Sequence, residues 1–434
     1  MNGAEQERVE ATGASSARLR EDIAFDPADP KAALAQLPHS AAVFALYGAD
    51  AHAEPYIGRT PNLRARLERL LQPSPKHPRR LQLAGRVRRI AWRLTGSEFE
   101  SLWVQFNLLE DRYGAKSLER MHLRMPAFVR FLGGNPYPRI VVTHRPSQRE
   151  AGWAYGPFPS RTAAERFGEE MLKLFLLRRC TFELNPDPSF PGCVYSEMKM
   201  CLAPCFKGCT DERYAEESAA VESFLATRGG SRLATLRAER DQASANLDFE
   251  SAAALHAQVQ KVEAVRALAA ELVRPLSRLR AVILQASTVA GEVAVFLFEN
   301  GRLRGPAGFS TLGMRIQNEQ SGSTSLFAQP LAMEAVPEGA FDAEGNFAPA
   351  KVPRGVLEAR LEAVLAGLAE PADAPSATGR QGSLALLKRW YYRPEARREG
   401  EIFFPDGENR WPVKAILRGV GRVAAKMLLE SAHP

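Results

Sequence analysis

The chain has 434 residues, 45% of them hydrophobic and 25% charged, with a net charge of +7. That length suffices for two to four cored domains, and no apolar run approaches the ~20 residues that cross a bilayer, which argues against a membrane protein. The positive balance favours an anionic partner, and the polar opening MNGAEQERVEATGASS lacks the apolar core of a signal sequence, so a cytoplasmic location is expected.

Residues 1–35 carry little apolar pattern and read as a flexible tail with one loose helix. Val43, Phe44, Leu46 and Tyr47 then form a strand-like run, and after the turn-like GADAHAEP the triplet Tyr56–Ile57–Gly58 reads as its hairpin partner. Asn62 stands at an N-cap position ahead of LRARLERLL. There Leu63, Leu67, Leu70 and Leu71 share one helical face, and Arg64, Arg66 and Arg69 supply the polar side. Between Arg59 and Arg93 lie eleven Lys or Arg residues and one acid, Glu68. This run is either a solvated basic face or a phosphate footprint, because clustered cations release counterions from nucleic acid. As a footprint it would use Arg59, Arg64, Arg66, Arg79, Arg80, Arg86, Arg88 and Arg89. QPSPKHPRR (72–80) is a Pro-broken loop, Arg88–Ile90–Trp92–Leu94 alternates like a strand, and Gly96–Ser97 precedes a helix from Glu98 to Tyr113.

Further on, PYPRIVVTHR reads as a strand and AYGPFPS (154–160) as a turn. All five cysteines lie between Cys180 and Cys209, and four of them read C-x12-C-x7-C-x3-C: Cys180, Cys193, Cys201 and Cys205. In a reducing compartment such a local set points to ligation rather than disulfides, with zinc, an iron–sulfur cluster and unmetallated core thiols all open; Cys209 is an extra thiol. ERYAEESAAVESFLATRGG is an amphipathic helix stopped by Gly229–Gly230. Residues 231–272 read as a helical hairpin: Leu233 and Leu236 start one stripe, Asp248 caps the second helix, and Phe249, Ala252, Ala253, Val259 and Val262 continue the other. A plain antiparallel coiled coil is the alternative reading. After 275 there are two β-like runs around Gly291, a turn-rich FDAEGNFAP, a helix in PRGVLEARLEAVLAGL and a linker in PADAPSATGRQGS. The end, from LLKRWYYRPEARREGEIFF to VAAKMLLE, is either a basic aromatic nucleic-acid patch or a helix with ordinary exposed arginines. The histidines have no spacing that suggests a metal site or a catalytic triad.

The order of these motifs resembles the incision-subunit family of excinuclease ABC, the enzyme of bacterial nucleotide excision repair, over residues 36–300. Ala42–Val43–Phe44 and Tyr56–Ile57–Gly58 stand where its GIY-YIG nuclease module has its two triplets, and Asn62–Leu63 and Arg66 match the helix with its essential arginine. The turn AYGPFPS, the set PGCVYSEMKMCLAPC and Ala243–Ala253, which matches the UVR motif, follow in the family's order. The resemblance implies Tyr56 as base, Arg59 and Arg66 on phosphate, a 4Fe–4S cluster on the four cysteines (zinc the alternative) and a UVR hairpin that pairs with the helicase subunit of the same excinuclease. It also implies losses. Phe44 replaces the first tyrosine, Gln105 falls at the carboxylate that holds Mg²⁺ or Mn²⁺, and Val129 falls at a late active-site asparagine. Glu98, Glu100 and Glu110 are the nearest acids, and none replaces Gln105 on its own part of the helix face. A phenol, with an ordinary pKa of ~10, needs help to act as a base.

The expected architecture is a multi-domain α+β chain. A GIY-YIG-like domain with a small mixed sheet (36–135) follows the tail. Then come a cysteine-rich connector with a helix (136–230), the UVR hairpin (231–272) and a degenerate α/β region (273–434). That last region partly resembles the family's middle segment, and neither an RNase H-like nuclease nor helix–hairpin–helix repeats can be found in it. The expected function is a DNA-repair factor that binds DNA and the helicase subunit and cuts weakly or not at all. The alternative is an active, metal-dependent endonuclease using Tyr56 and Arg66.

Overall fold

A computed structural model describes residues 18–50, 52–71, 83, 85–147, 149, 151–314, 352–369 and 376–432. The loop at 72–80 with Arg79 and Arg80, the FDAEGNFAP turn and the first 17 residues of the tail lie outside the described residues. Two compact units emerge: one of residues 1–123, 280–386 and 393–434, the other of 124–279 with 387–392. The content is mixed α and β, as the α+β reading expects; among the described residues it includes three four-stranded sheets, all antiparallel, so the first is not the mixed sheet expected there. Among the described residues no helix is long and apolar enough to cross a membrane.

The first unit opens with β1 (Glu21–Ala24), α1 (Pro30–Ala35), β2 (Ala42–Gly48), β3 (Tyr56–Thr60), α2 (Leu63–Leu71), β4 (Val87–Leu94), α3 (Glu98–Tyr113) and α4 (Lys116–Arg120). The strand order is β1-β4-β2-β3. The end of the expected tail is therefore part of the fold: Ile23 pairs with Ile90, and Phe25, Leu34 and Leu37 join the core. β2 and β3 make the expected hairpin, with Leu46 opposite Tyr56 and Phe44 opposite Gly58. A Cβ at Gly58 would stand 2.9 Å from Phe44 Cζ, so the Phe44 ring takes the space a side chain would need. Asn62 caps α2 by accepting from Ala65 N at 2.9 Å, and Leu63, Leu67, Leu70 and Leu71 are all buried, as their spacing predicts.

The second unit contains β5 (Ala127–Phe131), β6 (Ile140–Thr143), β7 (Ala154–Phe158), α5 (Arg161–Leu172), the short α6 (Val194–Glu197), α7 (Asp211–Ala226), α8 (Gly230–Ala245), α9 (Phe249–Ala267) and β8 (Arg274–Pro275). Its sheet runs β6-β5-β7-β8. AYGPFPS is not a turn: its first five residues are the fully buried strand β7, and Ser160 caps α5 by accepting from Ala163 N at 3.1 Å. Val129 lies in β5 with no exposed surface and contributes to the unit's apolar core. The helical hairpin forms as expected, with Asp248 capping α9 through Ser251 N at 3.1 Å. Its buried stripe is shorter than predicted. Leu233, Leu236, Val259, Val262 and Val265 are buried, whereas Ala253 is exposed and Phe249 is 67% exposed beside Leu247 at 73%. The buried stripe lies at the end of the hairpin where the core of the unit backs it.

The first unit resumes with β9 (Ala281–Ala286), β10 (Glu292–Glu299), β11 (Arg302–Ser310), α10 (Arg354–Ala369), α11 (Ala377–Tyr391), β12 (Glu401–Phe403) and α12 (Val413–Ala432). Three strands, β9 to β11, stand where two β-like runs are expected, and β12 joins them in the sheet order β11-β10-β9-β12. α11 begins within PADAPSATGRQGS, so the second half of that segment is helix rather than linker. α3 joins the two sheets of this unit. Trp103 Nε1 donates to Leu303 O at 3.1 Å, the Phe99 and Phe296 rings meet edge-on at 5.1 Å, and Phe106 occupies the space beside Gly382 that a Cβ would need.

Candidate nucleic-acid site and cysteine segment

Strand alternation sorts the candidate residues. Tyr56 and Gly58 share the face of β3 that packs with Phe44 and Leu46; the Tyr56 and Phe44 rings lie 6.1 Å apart, and Phe44 is wholly buried. Arg59 turns to the other face, where its Nη1 lies 3.3 Å from Glu98 Oε1 at the start of α3. Tyr56 and Arg59 are thus not brought together. Arg66 is half-buried on α2, and among the described residues its guanidinium has no ion-pair partner. Arg64 is engaged locally, pairing with Glu68 at 3.2 Å and reaching Ala35 O at 3.4 Å.

Arg86, Arg88 and Arg89 are exposed at the start of β4 and its approach. Arg88 Nη1 donates to Val87 O at 2.8 Å, and Arg89 stacks 4.1 Å over the Tyr47 ring with Asp22 at 3.7 Å. Arg93, the last residue of the basic run, is withdrawn from solvent. Its side chain is 5% exposed and pairs with the equally buried Glu100 at 3.1 Å, and burial lowers its guanidinium below the ordinary range despite that carboxylate.

Gln105 sits half-buried midway along α3, whose first residue meets Arg59 and whose last, Tyr113, donates to Pro55 O at 3.3 Å beside Tyr56. Glu98, Glu100 and Glu110 on this helix all have partners. Glu98 is gripped by Arg393 as well as Arg59, with Arg393 Nη2 and Nη1 donating at 2.6 and 2.8 Å. Glu100 accepts from Arg93 and, at 2.9 Å, from Gly96 N. Glu110 accepts from Ser376 Oγ at 2.6 Å. The sequence reading did not find Arg393 or the Arg93–Glu100 pair, since neither belongs to a local pattern. The exposed tip Leu247–Asp248–Phe249 could have been found: two large apolar residues flank a capping aspartate at a hairpin turn.

The cysteine segment is built from tight turns. Cys193 is the N-cap of α6, its N–H donating to Ser196 Oγ at 2.9 Å; Lys199, Ala203 and Lys207 take left-handed backbone conformations. Ala203 N donates to Cys201 Sγ at 3.3 Å, and Arg178 Nη1 lies 3.5 Å from Cys180 Sγ. Burial pushes the Cys201 thiol up to about 11, and charge on Cys180, Cys205 or Cys193 pushes the same way. Among the described residues no three His, Cys, Asp or Glu side chains form a group that could hold a single metal ion. A tetrahedral zinc would need all its sulfurs at ~2.3 Å from one centre.

Residues 128–224, from β5 through α7, match the family model described as the UvrC/Cho excinuclease middle domain. Residues 230–265, the α8–α9 hairpin, match the UvrB/uvrC motif. The middle-domain match thus lies upstream of the 281–310 strands, where the sequence reading expected the family's middle segment. Among curated relatives, the UvrABC system protein C of Pseudomonas protegens is 28% identical over 241 residues, covering 56% of this chain and 39% of the relative. That of Escherichia fergusonii is 30% identical over 244 residues, 55% of this chain and 39% of the relative. That of Alcanivorax borkumensis is 27% identical over 238 residues, with 55% and 39% covered. The chain spans about two-fifths of the length of these relatives. No solved structure matches it. The resemblance to the excinuclease incision subunit is carried by both family models and by these relatives.

Proposed function

We propose that this chain is a DNA-repair protein related to the incision subunit of nucleotide excision repair, holding DNA on its basic face and a helicase subunit on its hairpin, with weak or absent cleavage. One observation supports the last part: on α3, where the resemblance expects a metal-holding carboxylate, stands Gln105, and Glu98, Glu100 and Glu110 are each committed to a partner. Phosphodiester hydrolysis needs a cation or an equivalent charge on the leaving oxygen. A carboxamide offers an oxygen without the negative charge that holds Mg²⁺ or Mn²⁺, and recruiting Glu98 would strip Arg59 and Arg393 of their carboxylate. Phosphate recognition does not depend on such a cation. Arg66, Arg86 and Arg88 with Arg89 supply positive charge for it, which supports binding without cutting.

The exposed Leu247 and Phe249 support a partner-binding role for the hairpin tip, since burying both against a helicase subunit would remove apolar surface from water. Cys180, Cys193, Cys201 and Cys205 would hold a 4Fe–4S cluster, which would tie the turns of 180–205 together.

A nicking assay on damaged duplex with Mg²⁺ or Mn²⁺ tests the main claim. Wild type is expected to leave the duplex intact and Gln105→Glu to gain cleavage. Wild-type nicking abolished by Tyr56→Phe or Arg66→Ala would instead establish an active endonuclease. Metal analysis of anaerobically purified protein should find about four iron atoms per chain, lost in Cys201→Ser. One zinc per chain would assign the cysteines to zinc, and no metal would leave them as structural thiols.

A further inference from the structure

The second unit contains a cavity of about 290 Å³, close to the lower end of the range of ligand pockets, roughly 300 Å³. Its wall is mainly apolar and aromatic, with Tyr155, Phe167, Phe224 and Val273, and two basic residues, Arg228 and Arg266, line it as well. Its one carboxylate, Glu263, is taken by Arg237 at 2.7 Å.

Arg228 is held there at a conformational cost. It lies in the turn between α7 and α8 with φ of +53°, a left-handed conformation that an L side chain resists and glycine accepts. Among the described residues its Nε is buried with no hydrogen-bond acceptor, and its Nη2 makes a long contact of 3.5 Å to Ala270 O. The next residue, Gly229, lets Arg266 come close: a Cβ there would stand 2.8 Å from Arg266 Cγ. Burial, reinforced by Arg266 and partly offset by Glu271, holds the Arg228 guanidinium below its ordinary range. A strained backbone, an orphaned donor and a neighbouring like charge are three separate costs at one residue, and a bound anion would relieve the last two.

We propose that this cavity binds a small amphipathic anion, with an aromatic body against Tyr155, Phe167 and Phe224 and a single carboxylate- or sulfonate-type group between Arg228 and Arg266. The apolar wall selects the body and the guanidinium pair selects the charge.

The full-length chain titrated with 8-anilinonaphthalene-1-sulfonate, followed by fluorescence, tests this. The expected result is saturable binding of one probe per chain, with the uncharged N-phenyl-1-naphthylamine binding at least tenfold more weakly. Arg228→Gly should lower the affinity for the sulfonate at least tenfold while the melting temperature stays level or rises, because glycine accepts the left-handed turn. Ala267→Trp, which fills the cavity, should remove the saturable phase. If Ala267→Trp does not fold, Arg266→Met takes its place with the same tenfold expectation. Equal binding of the uncharged probe, or unchanged binding by Arg228→Gly, would overturn the proposal, as would a signal that never saturates.

Discussion

Arg393 holds Glu98 at two points, with guanidinium-to-carboxylate distances of 2.6 and 2.8 Å, while Arg59 reaches the same carboxylate at 3.3 Å. A residue far along the chain thereby neutralises the one acid that shares a helix face with Gln105. It also leaves Arg59 competing for a carboxylate that another arginine grips more closely.

Because Arg393 and Glu98 are 26% and 38% exposed, solvent screens their attraction, and a double-mutant cycle with Arg393→Ala and Glu98→Gln should give a coupling of about 1 kcal/mol. Denaturant unfolding of the four proteins measures it. Glu98→Gln alone should bind duplex DNA more tightly than wild type, since it removes negative charge from beside Arg59. Weaker binding by that variant would mean that Arg59 contributes nothing to the footprint.

Arg66 and Arg93 should behave in opposite ways although both belong to one basic run. Arg66→Ala should reduce the slope of log affinity against log salt by about 0.9 and leave unfolding nearly unchanged. Arg93→Met should cost roughly 3–5 kcal/mol of stability, because it strands Glu100 as a buried charge. DNA binding across a salt series, with denaturant unfolding alongside, separates the two.

On the hairpin, Phe249→Ala should change stability by less than ~0.5 kcal/mol, since the ring is 67% exposed, yet weaken binding to a helicase subunit at least tenfold. Leu236→Ala, at 1% exposure, should do the reverse, costing about 2–5 kcal/mol through the cavity it leaves. Calorimetric titration and thermal melts of both variants check the contrast.

Alkaline pH should loosen the second unit. Burial pushes the Tyr155 hydroxyl up to about 12 and raises Tyr214 and Tyr392 further. A raised folded-state value means that the native state keeps its proton while the unfolded chain begins to ionise near ~10. Stability is therefore complete below ~10 and falls as pH rises towards 12, by roughly 2–3 kcal/mol for Tyr155 alone. Tyr155→Phe should flatten that part of the curve in denaturant melts taken from neutral to alkaline pH.

Much of the chain could be read from local pattern. The β2–β3 hairpin, the buried leucines of α2, the caps at Asn62 and Asp248 and the limits of α3 each depend on residues a few positions apart, and each stands where expected. Misreadings occurred where a segment's partner was distant. Glu21–Ala24 is too short to signal a strand, and it becomes one only because β4 offers an open edge. AYGPFPS carries the composition of a turn but is buried between β5 and β8. Phe249 fits the spacing of a helical stripe, yet no core lies opposite it at the tip of the hairpin.

The amino-acid order by itself determined the helical faces, the caps, the cysteine spacing and the presence of Gln105 midway along α3, because these are matters of residue type and short-range spacing. Only the tertiary structure decided which charges are available. It buried Arg93 against Glu100, gave Glu98 to Arg393, set Arg59 and Tyr56 on opposite faces of one strand, and left Leu247 and Phe249 in solvent. A charge's role depends on burial and on partners brought in from remote parts of the chain, and neither is written in the few residues around it.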